Sequence, residues 1–177
     1  TWGPLQYLHP ENDISLTTYN IMTELNGDLE VIHAGRIDTT ELDTEPTWNF
    51  IGLEDGRLFS WDGRLFLCGV RRDCYTDDGK GRMDDQWKEV ARHPIPAPGD
   101  DGTYCEKNWM PIIDMPWCFV KWCNPVEVCK FDPVEGTTST VVLDENRFEP
   151  MPRDLRGGTQ VYPIGEGKRM TITHEVD

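Results

Sequence analysis

Apolar residues along this chain come in short runs bounded by polar and turn-forming residues, and seldom at the three-to-four spacing of a helix. In GLEDGRLFSWDGRLFLCGVRRD, residues 52 to 73, the runs RLFSW and RLFLCGV flank Asp62-Gly63, a strong hairpin signal. Other runs are rich in β-branched residues, such as VVL at 141 to 143 and MTIT at 170 to 173, as half-buried strands prefer. The exception is DDQWKEVARH, 84 to 93, where Trp87, Val90 and Ala91 are spaced as on a helix face. It runs directly into PIPAPGD, so the pattern predicts one or two helical turns at most.

The hairpin pattern recurs four times, at 12 to 38, 52 to 73, 106 to 132 and 155 to 177. Each segment has a polar lead-in, an apolar strand, a turn and a second apolar strand. Counting from Asp13 to Asp55, Asn108 and Gly158 gives spacings of 42, 53 and 50 residues, close to the length of one four-stranded propeller blade. The sequence therefore predicts a single all-β domain of the β-propeller type, built from blade-like antiparallel sheets. The blade-like units fall at about 1–47, 48–104, 105–154 and 155–177, three to four in all. In such an arrangement the first residues of each hairpin converge on one end of the axis. Asp13, Asp55 with Arg57, Glu106 to Asn108, and Arg156 to Thr159 hold equivalent places.

Composition narrows the partners. With 177 residues, 37% hydrophobic and seven Trp, the chain can bury a core of its own. A net charge of −15 disfavours nucleic acid and anionic membrane surfaces as partners. So much acid serves solubility, and is also compatible with an acidic cleft for a neutral polyhydroxylated ligand. No apolar run approaches the roughly 20 residues that cross a bilayer. The opening TWGPLQYLHP carries neither a secretory signal nor an initiator Met, as in a mature form or a fragment. The six cysteines, at 68, 74, 105, 118, 123 and 129, form no CxxC pair and sit largely in apolar runs. Buried free thiols in a reducing, cytoplasmic compartment are expected, without a structural zinc. No metal site is expected, because His9, His33, His93 and His174 are scattered and DCYTDDGKGRMDD lacks the carboxylate register of a calcium loop.

Taken together and in order, LEDGRLF, EKNWMP, RGGTQ and THEV resemble motifs of the five-bladed β-propeller superfamily of furanosidases and mannoside phosphorylases, in particular the glycoside hydrolase family 130 group. The likeness touches four places and spans nearly the whole chain. It implies a carbohydrate-active protein, a glycoside hydrolase or phosphorylase with its ligand in an axial pocket. It needs no cofactor, with inorganic phosphate as the co-substrate in phosphorolysis. Asp55 would be the general acid, and Asp13 matches the place of a first-blade carboxylate in the wider superfamily. Arg57, Lys107, Asn108, Arg156 and His174 would contact sugar or phosphate oxygens. Two features depart from the family: its Pro is replaced by Gly56, and five blades of about 50 residues need a longer chain than this one. Closing the ring would take further sequence or a second copy, so self-association through open sheet edges is expected.

Read residue by residue, the same positions keep two meanings. Glu54-Asp55-x-Arg57 places an acid and a cation in one strand, as phosphorolysis requires. Strand alternation puts Asp55 and Arg57 on one face and Glu54 on the other, so the pair could equally be an ion pair bracing neighbouring blades. Glu106 to Trp109 reads as a pocket wall with Trp109 as a sugar platform, or as core. Arg156-Gly157-Gly158-Thr159 offers N–H groups and a guanidinium to an anion, or else lets a strand pass close to the axis. The alternative function is a non-catalytic carbohydrate-binding or assembly module.

Overall fold

A computed structural model describes residues 15–46, 49–71, 79–83 (backbone only), 87–99, 108–146 and 155–175. Sixteen strands occupy them, and among the described residues there is no helix. Asp13, Glu106 and Lys107 lie outside the described residues.

The first strands are β1 (Leu16–Thr17), β2 (Ile21–Leu25), β3 (Val31–Arg36) and β4 (Phe50–Ile51). β2 and β3 form an antiparallel hairpin, while β1 runs parallel to β4. An antiparallel meander follows in chain order: β5 (Leu53–Trp61), β6 (Arg64–Arg71), β7 (Gly79–Met83) and β8 (Glu89–Pro94). A second one comprises β9 (Met110–Pro111), β10 (Cys118–Cys123), β11 (Val126–Asp132) and β12 (Thr137–Asp144). The chain ends in β13 (Arg156–Gly157), β14 (Tyr162–Gly165), β15 (Lys168–Met170) and β16 (Thr173–His174), where β14 pairs with β15 and β13 with β16. Each of the four recurring sequence segments thus contains an antiparallel hairpin, and the molecule is all-β with several antiparallel sheets.

Local chemistry explains the turns and the one departure. Asp62 and Gly63 both take positive φ (49° and 72°), the two-residue turn whose twist matches its flanking strands. The stretch after Trp87 is the strand β8, paired with β7 from Gly79↔Pro94 to Met83↔Glu89, where helical spacing predicted a short turn of helix. An uncovered β7 edge supplies ladder partners there, and the Pro at position 94 leaves a helix no room to propagate.

Apolar side chains pack between successive sheets. Phe59, Trp61, Phe66 and Cys68 of the first meander meet Trp109, Phe119, Cys129 and Phe131 around the second in the main core. Met22 and Ile37 join the first hairpin to this meander, together with Leu67 and Trp87. Met110, Ile112 and Cys118 join the second meander to Val161 of the C-terminal segment. Trp61 also crosses between the meanders by donating its indole N–H to the Ile112 carbonyl at 2.9 Å. Cys68, Cys118, Cys123 and Cys129 are free thiols, the first, second and fourth of them buried.

Candidate functional site

Of the predicted lead-in residues, Arg57, Asn108, Gly157 and Gly158 meet, and the group that joins them is Arg57. Its Nε donates to the Gly158 carbonyl at 3.1 Å, and its Nη2 donates to the Gly157 carbonyl at 3.0 Å and the Asn108 Oδ1 at 3.1 Å. One half-buried guanidinium therefore ties the start of β5 to the start of the second meander and to β13. The two glycines permit that approach. A Cβ on Gly157 would run into the backbone carbonyl of Asn108, and one on Gly158 would stand 2.7 Å from the Ile172 oxygen. Asn108 itself is buried and held at φ 69°.

Asp55 is placed differently from what strict alternation implies. The β5–β6 register shifts between Glu54 and Arg57, a bulge in which Asp55 takes φ 52° and is exposed. The extra residue breaks the period of two, so Arg57 pairs with oxygen acceptors across the molecule and not with Asp55. Gly56 is closely approached: a Cβ there would stand 3.1 Å from the Asn20 Oδ1 and 3.2 Å from Leu67, so these side-chain ends would have to give by a few tenths of an ångström.

The remaining candidates spread out. Trp109 is 2% exposed, packed against Phe119 in the core, where hydrophobic transfer favours the whole indole. Thr159 is half-buried, its hydroxyl spent within the C-terminal segment on Thr171 and the Ile172 N–H. Arg156 and His174 are exposed register partners on β13 and β16. Glu54 is half-buried opposite Val70.

A cleft of about 100 Å³, several times what one water molecule needs, opens beside the Asp55 bulge. Thr17 to Asn20, Gly52, Leu53 and Leu67 line it, with Arg36, Asp43, Arg71, Glu89 and Arg92 contributing charge. Asp55 is not part of the lining, but Asn20 is, and its amide donates to the Leu53 carbonyl at 3.1 Å. The charged wall is an ordered network. Arg92 gives Nε and Nη2 to the two Glu89 oxygens at 2.9 and 2.5 Å, Nη2 also to Asp43 Oδ1 at 3.0 Å, and Nη1 to the Leu42 carbonyl. Arg71, 5% exposed, reaches the same Asp43 oxygen at 3.1 Å. Burial alone pushes the Asp43 carboxyl up, but hydrogen bonds from Arg92, Thr39 and Arg71 outweigh it and hold it below the usual value. Burial likewise pulls the Arg92 guanidinium down, and Glu89 and Asp43 more than restore it.

Sequence reasoning passed over this cleft because its charges come from four separate elements. The one local signal was Arg71, a cation ending an apolar run whose neighbours are buried. Among the described residues no cluster of His, Cys, Asp and Glu could hold a metal, and no helix is long and apolar enough to cross a membrane. No protein-family model, curated protein or solved structure matches this chain, so any functional reading rests on its own residues and geometry.

Proposed function

We propose that the chain is a β-propeller-type carbohydrate-binding domain that holds a saccharide in the cleft beside the Asp55 bulge without cleaving it. The propeller part is supported by two four-stranded meanders stacked in chain order between hairpins, with their lead-ins joined at Arg57. The binding part is supported by a cleft that combines an aromatic ring, amide and hydroxyl groups and guanidinium edges, the set that recognises a sugar's faces and hydroxyls. The observation that carries the non-catalytic reading is the Arg57 tie. The cation that phosphorolysis would need beside Asp55 is committed to three acceptors of the fold itself. Calorimetric titration with oligosaccharides, alongside product analysis with and without inorganic phosphate, tests it. Binding without turnover, retained in Asp55→Asn, is the expected result.

A second reading, a glycoside hydrolase or phosphorylase with Asp55 as the acid, is favoured by one observation. An exposed Asp held in a left-handed bulge next to a cleft is the kind of local strain found at functional sites. Turnover abolished by Asp55→Asn would establish that reading and overturn the first.

The propeller reading also makes part-blades of β2–β3 and β14–β15, where Ile21, Val31, Ile32, Ile164 and Met170 are exposed. A second copy of the chain would cover them, and light scattering at a dimer's mass is the expected result.

A further inference from the structure

We propose that the saccharide is anionic, carrying a carboxylate or phosphate group, and that Arg36 is its anchor; this rests on the carbohydrate reading of the cleft. The three arginines in the cleft wall are not alike. Arg71 and Arg92 are held by Asp43, and Arg92 also by both Glu89 oxygens, so the two acids of the wall are used up on those two cations. Arg36 is left over. It ends β3 at the cleft, exposed, with its guanidinium carbon 3.5 Å above the centre of the Tyr19 ring.

Stacking satisfies only the flat face of a guanidinium. Its N–H groups point outward in the plane, and no hydrogen bond or ion pair from a described residue takes them. The stack does set the orientation of the fork, which lowers the entropy lost when it closes on a ligand. The cleft therefore presents one oriented, unneutralised cation in a chain whose net charge is −15. Planar N–H pairs match carboxylate and phosphate oxygens two at a time, and a neutral sugar offers no group that would use them as fully. Asn20, on the strand connection next to Tyr19, also lines the cleft, and its amide donates to the Leu53 carbonyl, which fixes that side of the wall.

The experiment is a calorimetric titration of the full chain at low salt with glucuronic acid, glucose 6-phosphate, glucose, acetate and inorganic phosphate. One of the two acidic sugars is expected to bind at least about tenfold tighter than glucose, the gain of one charge-assisted hydrogen-bonded pair. That advantage is expected to shrink with added salt and to vanish in Arg36→Gln. Which acidic sugar wins distinguishes carboxylate from phosphate. Arg64→Gln removes the same charge from the far end of the β5–β6 hairpin, beside the Asp62-Gly63 turn, and is expected to change nothing. Glucose binding as tightly as the acidic sugars, or an acidic preference that survives Arg36→Gln, would overturn the anion inference while leaving the carbohydrate reading in place. Acetate or phosphate binding as tightly as the sugars would overturn the carbohydrate reading and retain the anion anchor. Binding of none of the five would overturn both.

Discussion

Replacing Arg57 by Ala separates a brace from a ligand contact. The substitution deletes three hydrogen bonds of 3.0 to 3.1 Å, to Gly157, Gly158 and Asn108, which join segments 51 to 101 residues apart in the chain. A hydrogen bond from a charged donor contributes about 1.5–3 kcal/mol when buried. Arg57 is half-buried and water can reach some of the freed carbonyls, so about 1 kcal/mol each, or about 3 kcal/mol in all, is the working figure. With a urea slope of about 2 kcal/mol/M, the unfolding midpoint should fall by about 1.5 M. Arg57→Lys keeps the charge, but a single ammonium cannot occupy the Nε and Nη2 positions together, and it should recover less than half the loss. Urea unfolding followed by tryptophan fluorescence measures all of this. A cycle with Asn108→Ala should return a coupling of about 1 kcal/mol. A midpoint within about 0.3 M of the parent for Arg57→Ala, or full recovery by Lys, would refute the bracing argument and return Arg57 to the ligand-binding candidates.

Trp61→Phe removes one of two donors to the Ile112 carbonyl, the Met115 N–H being the other, and should cost about 0.5–1.5 kcal/mol by the same unfolding assay. His93 packs against Trp117 and Phe131, and burial pulls its pKa below the ordinary 6.5. The unfolded chain then takes up the proton more readily, so the stability held above about pH 6.5 declines as pH falls through the lower folded value, and urea midpoints at pH 7.5 and 5 should differ less in His93→Gln than in the parent. Burial first, and the Glu127 carboxylate second, push the Cys129 thiol up to about 12, so iodoacetamide at pH 8 should spare it in the native protein and modify it in urea, as peptide mass mapping would show. Equal modification in both samples would contradict the buried placement.

Much of the secondary structure was legible locally. The Asp62-Gly63 turn could be read because both residues tolerate the left-handed conformation that a tight hairpin needs, and few others do. Four hairpin segments were legible because a strand's period of two is written into consecutive residues. Residues 84 to 93 misled, because Trp87, Val90 and Ala91 suit a short helix equally well, and only the neighbouring β7 edge decides for β8. The Asp55 bulge was invisible for a similar reason. A register shift is a property of the pair of strands, and the sequence of one of them does not contain it.

By itself, then, the order of residues determined an all-β chain with recurring hairpins; of the convergence it suggested for Asp13, Asp55 with Arg57, Glu106 to Asn108 and Arg156 to Thr159, the described residues show the meeting of Arg57, Asn108, Gly157 and Gly158. Only the tertiary structure decided what each group does there. Arg57 turned from candidate phosphate contact into a tie because three acceptors from distant segments lie within 3.1 Å of it. Trp109 went to the core, and the charged cleft of Arg36, Asp43, Arg71, Glu89 and Arg92 came into being, because packing one sheet on the next brings together residues with no regular spacing in sequence. Backbone preference acts over a few residues and is readable along the chain. Charge pairing and burial act through space, and they exist only once the sheets have stacked.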